Sequence, residues 1–281
     1  MAANERLCFR NGCLAALLVL AAVFGASSAA AQINDRCPRL VSSLPSPFAE
    51  RMQKVSLRLA QKKDEPAVSI TFIGHSTFLI ESAGGIKIAT DYNDYVRPEA
   101  IPDIATMNRA HSTHYTLSPD PSIRHVLRGW GEGEQPAKHE LELGDVYVRN
   151  VPTNIRDWAG GTILSQNSIF VFEIAGLCIA HLGHLHHTLT PAHLDAMGRI
   201  DVVLVPVDGS FTLNTDGMVE VLKQIDAPVA IPMHMFGEGT LQRFLEKMNK
   251  IYDVQRHPSA NIALSRATLP KSRTMIVLPG R

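Results

Sequence analysis

Apolar and polar residues alternate with a period of two across Val68-Ser69-Ile70-Thr71-Phe72-Ile73, stop at Gly74-His75-Ser76, and resume over 77–81. After Ala83-Gly84-Gly85 the pattern runs on through 86–90. Successive strand side chains face opposite sides, so this period predicts a meander of antiparallel strands joined by short turns. Further strands are expected at 122–128, 141–151, 168–173, 177–181, 202–207, 229–232 and 274–278, and another apolar run begins near Ile101. A period nearer 3.6 predicts helices at 48–62, behind the punctuation of Pro45 and Pro47, and at 191–197, 215–224 and 240–252.

Strands open and close this pattern, and helices alternate with them only in the second half. Two sheets packed face to face with helices outside fit it, and so does a mixed three-layer α/β arrangement. About 250 residues after position 31 are enough for one large domain with a full core.

The first residues read as a segment that leaves the protein. Arg6 and Arg10 make a positive start, an apolar run follows from Cys13 to Phe24, and Ala29-Ala30-Ala31 offers a small-residue cleavage pattern before Gln32. The expectation is a secretory signal peptide over 1–31, an N-terminal extension with one amphipathic helix over 32–66, and the folded domain over 67–281. A retained membrane anchor is the competing reading; the run is short for a bilayer. With the peptide removed, the protein is expected to be periplasmic or secreted, off the membrane.

Removing Glu5, Arg6 and Arg10 turns 27 basic and 27 acidic residues into 25 and 26. Such a balance gives no basic footprint for nucleic acid, so a small-molecule substrate is the expected partner. The same cut removes Cys8 and Cys13 and leaves Cys37 and Cys178. In an oxidising compartment these two could form a disulfide; a buried, reduced Cys178 is the alternative.

Histidine is where chemistry gathers. His111 and His114 stand three apart after a short apolar run, a spacing that converges on one side of a turn. His181, His184, His186 and His187 cluster after another apolar run, and His234 follows a third. Imidazole is the commonest protein metal ligand, and polar loops directly after buried strands are where sites are built. Asp91 and Asp94 occupy one such loop, after the strand ending near Thr90.

Four segments, in order, resemble the metallo-β-lactamase superfamily, in the branch of ascorbate-6-phosphate lactonase-like hydrolases. They are Ile70-Thr71-Phe72-Ile73-Gly74-His75-Ser76-Thr77-Phe78-Leu79-Ile80-Glu81; Thr90-Asp91-Tyr92; His181-Leu182-Gly183-His184-Leu185-His186-His187-Thr188-Leu189-Thr190; and Val205-Pro206-Val207-Asp208-Gly209-Ser210-Phe211-Thr212 with Ile231-Pro232-Met233-His234. The resemblance spans about 67–236, and several ordered matches are more specific than any single motif. It implies a four-layer αββα sandwich with a metal site at one edge of the two sheets.

The sequence also departs from that family. Its H-x-H-x-D-H signature aligns with Arg109-Ala110-His111-Ser112-Thr113-His114, so arginine replaces the first histidine and threonine the aspartate. His184 stands where a metal-bridging aspartate is usual, and Asn154 lies nearest to the place of a further histidine. Four neutral imidazoles, His111, His114, His184 and His234, suit one divalent ion, with Zn²⁺ the first choice, whereas two adjacent dications want the carboxylates that are missing.

A cation at Arg109 would repel a second ion and suits an anionic substrate group, although a surface ion pair is its plain alternative. Asp91 and Asp94 are the carboxylates best placed to orient a ligand imidazole, and Asp208 is a weaker candidate. His75, His181, His186 and His187 are expected to be supporting or solvated. With three histidines and an open position, a bound water can approach a pKa of ~7. The expected function is therefore hydrolysis of an ester, lactone or phosphoester; the alternative is a relative that keeps the fold and binds a metal or small anion without turnover.

Overall fold

In the computed structural model, residues 67–133 and 135–280 are described. The expected signal peptide, the helix at 48–62 and Cys37 lie outside them. Cys178 is fully buried and disulfide-bonded, and its partner is likewise outside the described residues.

Two sheets form the body. The first takes β1 (Val68–Gly74), β2 (Thr77–Glu81), β3 (Lys87–Ala89), β4 (Ile104–Met107), β5 (His125–Arg128) and β13 (Asn261–Leu264), in the order β13-β1-β2-β3-β4-β5. The second takes β6 (Glu140–Leu143), β7 (Val146–Arg156), β8 (Thr162–Ile174), β9 (Leu177–His181), β10 (Val202–Pro206), β11 (Val229–Met233), β12 (Asp253–Arg256) and β14 (Thr274–Val277), in the order β12-β14-β11-β10-β9-β8-β7-β6. The meander β1-β2-β3 is antiparallel as the alternation predicts, while β9, β10 and β11 run parallel.

Alternation builds the layers. From β1, Val68, Ile70 and Phe72 meet Phe170 and Phe172 of β8 and Val202 and Leu204 of β10 between the sheets. The odd partners on the second sheet, Val171, Val203 and Val205, point the other way. They are covered by α1 (Pro191–Met197), α2 (Thr215–Ile225) and α3 (Glu238–Met248) through Met197, Met218, Val221, Leu222, Phe244 and Leu245. Strands apolar on both faces read as continuous hydrophobic runs, and complete burial of a side chain such as Phe170 contributes about 1.5–3 kcal/mol. On the outer face of the first sheet, Tyr92, Met107 and Ile123 form a smaller cluster with Tyr115 and Trp130.

Two sheets with helices outside match the sandwich expectation. The helix at 191–197 has its expected bounds because Thr190 caps it, its hydroxyl accepting from the His193 amide at 3.3 Å. The expected strand at 141–151 is instead two strands, since Gly144, at φ 58°, turns the chain between Leu143 and Val146. Strands β12 and β13 lie where none was expected.

Candidate metal centre

All the cluster residues come from one edge of the sandwich, where β1, β3, β4, β9, β10 and β11 end. The loop after β4 folds back on itself: the His114 amide donates to His111 O at 2.9 Å and the Asn108 amide to His114 O at 3.1 Å. That turn puts His111 and His114 on one side, as their spacing predicts. His234 follows β11 directly, and its amide donates to His75 O at 2.6 Å, tying the β1-β2 turn to the second sheet.

Backbone strain is concentrated here. His75 (φ 51°), Asp91 (φ 42°) and His234 (φ 55°) are left-handed without being glycine, a conformation that persists only where surroundings enforce it. Gly183, at φ 60°, has a second reason to be glycine. A Cβ there would lie 2.4 Å from Asn108 Nδ2 and 2.5 Å from Asn167 Oδ1, and Asn167 Oδ1 accepts the His184 amide at 2.8 Å. The glycine lets the loop of His184 approach the loop of His111.

Four rings share one orientation. His111 Nε2 lies 3.0 Å from His184 Nε2, and His234 Nε2 lies 3.2 Å from His114 Nε2. Each outer Nδ1 meets a fixed partner: Thr113 Oγ1 at 2.7 Å for His111, Asp91 Oδ2 at 2.5 Å for His114, and His186 Nε2 at 2.5 Å for His184. For His234 the partner is Asp208 Oδ1 at 3.1 Å, a contact too poorly aligned for a directed hydrogen bond and best taken as electrostatic.

The six ring-centre separations among these four run from 4.6 to 5.8 Å. A tetrahedral ion at about 2.0–2.1 Å from each nitrogen would set them near ~5 Å, with facing nitrogens ~3.3 Å apart. The donor set fits a divalent cation of zinc type.

A second grouping exchanges His184 for His75, with the donor atoms of His75, His111, His114 and His234 all within 4.8 Å of one another. Orientation separates the two sets. His75 Nε2 is engaged by Thr113 Oγ1 at 3.0 Å, and its ring centre stands 4.1 Å from His234 but 6.0 Å from His111. His75 thus packs against His234, whereas the other candidate fourth donor, whose Nε2 faces that of His111, is His184.

Its tautomer carries a consequence. The Arg156 amide donates to His186 Nδ1 at 2.6 Å, so a neutral His186 has its hydrogen on Nε2 and donates to His184 Nδ1. A neutral His184 then holds its own hydrogen on Nε2, facing the centre, and ligation through Nε2 would require the other tautomer, with that hydrogen on Nδ1.

Burial favours the uncharged form of His75, His111, His114 and His184. Burial, followed by neighbouring histidines, holds His75 down to about 4 and His111 below its usual value, with His114 and His184 well below. Neutral imidazole is the ligating form. Burial raises Asp91 above the usual carboxylate range, opposed by His181 and by the Asn108 Nδ2 that donates to its Oδ1 at 3.0 Å. For Asp208 burial also pulls upward, but His234, Thr212 and the Ser210 amide outweigh it and hold the carboxyl well below that range.

Of the residues singled out in the sequence, His111, His114, His184 and His234 come together, and Asp91 holds His114. Asp94 pairs instead with Arg97 at the surface. Arg109 is exposed, and among the described residues its side chain has no partner; its amide donates to Gln166 O at 3.1 Å. Asn154 accepts the Ser165 amide at 2.9 Å across the β7-β8 hairpin, outside the cluster.

His181 is a satisfied core residue, Nε2 donating to Ser76 O at 2.8 Å and Nδ1 accepting the Gly183 amide at 3.1 Å. His75 and His186 support the cluster, one of the two roles expected of them, and Thr113, Asn108 and Asn167 shape it without having been picked out for it. The Gly74-His75-Ser76 break and the dense 181–187 run were the available signals.

A family model described as a beta-lactamase superfamily domain matches residues 69–234, which contain every residue of the cluster. A UPF0173 metal-dependent hydrolase of Thermoplasma volcanium is 35% identical over 193 residues, covering 59% of this chain and 83% of that protein. A UPF0173 protein of Pyrococcus furiosus is 26% identical over 202 residues, covering 65% and 91%. Among solved structures, a Thermotoga maritima protein assigned to the Zn-dependent hydrolases of the metallo-β-lactamase superfamily aligns with a TM-score of 0.56 and 28% identity, covering 75% of this chain and 98% of that one. With sheet order, loop placement and matched segment in agreement, this chain belongs to the metallo-β-lactamase superfamily.

Proposed function

We propose that the protein is a metal-dependent hydrolase of an ester, lactone or phosphoester, with one divalent ion held by His111, His114, His184 and His234. One observation carries the reading: four Nε2 atoms face a common centre while each Nδ1 meets a fixed partner outside it. The names of the Thermoplasma and Thermotoga relatives support metal-dependent hydrolysis, and four neutral imidazoles make Zn²⁺ the first choice.

Such an ion would supply Lewis acidity for a carbonyl or phosphoryl oxygen and for water by accepting a fifth ligand beside the four imidazoles. The chain's residues set the stage. Asp91 accepts the His114 Nδ1 hydrogen and fixes that ring, which makes it a positioning residue. Thr113 bridges His111 and His75, and Asp208 faces His234 Nδ1 at 3.1 Å as an electrostatic neighbour. Two buried carboxylates also offset part of a dication's charge.

Turnover of activated esters, lactones and phosphodiesters by the zinc-loaded protein, absent from His114→Ala, is the expected result. Zinc binding without turnover on the whole panel would favour a binding protein that has lost hydrolysis. Export with residues 1–31 removed completes the proposal on the sequence pattern alone. A mature mass beginning at Gln32 supports it, and one retaining Met1 contradicts it.

A further inference from the structure

Resting on the hydrolase reading above, we infer that the substrate is an ester or lactone with an uncharged hydrocarbon arm, which lies in the cavity beside the histidine cluster. The cavity, about 550 Å³, reaches His111 and His184 at its inner end. Volumes of this order hold a small organic molecule.

Its other walls are apolar and come from three separate loops. Trp158 sits at the tip of the β7-β8 hairpin, Phe211 follows β10 and Phe236 follows β11, with Ile155 below them. These aromatics are 98%, 52% and 58% exposed, an unusual convergence of apolar surface in water. Phe211 and Phe236 meet edge to face at 5.3 Å, and Phe236 stands 5.3 Å from the His234 ring, so the apolar wall runs directly into the cluster.

The charged lining is already committed. Arg156 donates through Nη2 to the carbonyls of Ser210, Phe211 and Thr212 at 3.3, 3.5 and 2.7 Å. The Asp157 carboxylate accepts the Ala159 and Gly161 amides at 2.8 and 2.7 Å, holding the hairpin tip that carries Trp158. Arg109, the cation expected to meet an anionic group, is not among the lining residues. Arg156 keeps its charge but spends Nη2 on three backbone carbonyls, and Asp157 brings the opposite charge to the same edge, so the lining carries no net charge from these two and its apolar wall is the feature that selects a ligand.

Hydrolysis adds water across the acyl C–O bond, with the hydrogen going to the departing alkoxy oxygen. The ester carbon must therefore lie by the histidines while the hydrocarbon arm extends between Trp158 and the two phenylalanines.

The test uses uncharged analogues. Isothermal titration of the zinc-loaded protein with butanamide, hexanamide and octanamide should show affinity rising about fourfold per added methylene. Trp158→Ala and Phe211→Ser, both exposed positions, should each weaken octanamide binding about fivefold or more with zinc content unchanged. Equal affinity for the three amides, or inorganic phosphate displacing octanamide at lower concentration, would overturn the inference. Chain-length-dependent binding without hydrolysis of 4-nitrophenyl octanoate would uphold the apolar cavity and sink the hydrolase reading. Hydrolysis of 4-nitrophenyl acetate and octanoate at equal kcat/KM would do the reverse.

Discussion

The two ends of the sandwich are built on opposite terms. At one end the strands turn tightly: Ala175 and Gly176, at φ 53° and 72°, join β8 to β9, Gly144 joins β6 to β7, and Ser82 Oγ donates to Asp145 Oδ1 at 2.6 Å, linking the sheets. At the other end, the two-residue β1-β2 turn carries His75, and longer loops carry Asp91, His111, His114, His184, Asp208 and His234. Left-handed residues occur at both ends, but for different reasons. Those in the turns match the twist of a two-residue hairpin, whereas those at the cluster aim side chains inward. The tight end sets register and leaves the loop end free to hold groups that folding alone would not favour.

That separation can be broken by substitution. The largest effect is expected from His114→Ala, which removes a donor and should lower zinc affinity by more than ~100-fold in competition with a chelator dye. Asp91→Asn keeps the shape but loses the charged acceptor on His114, for an expected loss of about 10–100-fold. Either variant binding zinc like the parent protein would contradict the assigned roles. At the far end, Gly176→Val puts a branched side chain at positive φ and should cost about 1–2 kcal/mol of stability by urea titration, with zinc affinity unchanged. A change in zinc affinity there would show that the two ends are not independent.

Smaller effects sharpen the same contrast. His75 and His186 are each held down to about 4 when folded, whereas in the unfolded chain they titrate near 6.5. Between those values the unfolded chain binds more protons, so stability is full above about pH 6.5 and falls as pH drops toward 4. A melting temperature of the zinc-stripped protein that stays constant from pH 7 to 4.5 would contradict this.

Much of this was legible because burial and period coincide. Strands β1 and β2 and helix α1 follow their patterns, and four histidines after apolar runs meet as expected. Strands β12 and β13 were not legible: Asp253-Val254-Gln255-Arg256 is exposed throughout, and both are edge strands defined by pairing to β14 and β1. Strand β8 starts six residues earlier than its apolar core suggests, because 162–167 belongs to a projecting hairpin.

At the site, Asp208 looked secondary because nothing local shows that five groups of its own turn, the amides of Ser210, Phe211 and Thr212 and the hydroxyls of Ser210 and Thr212, would bind its carboxylate. Trp158, Phe211 and Phe236 are 25 or more residues apart in sequence. Only the fold brings them to one mouth.

The central claim is a single ion on four imidazoles. Elemental analysis of the purified protein, loaded with zinc and exhaustively dialysed, tests it most directly. One zinc per chain, falling toward zero in His114→Ala, is the predicted result; two zinc ions per chain, or none after loading, would contradict it.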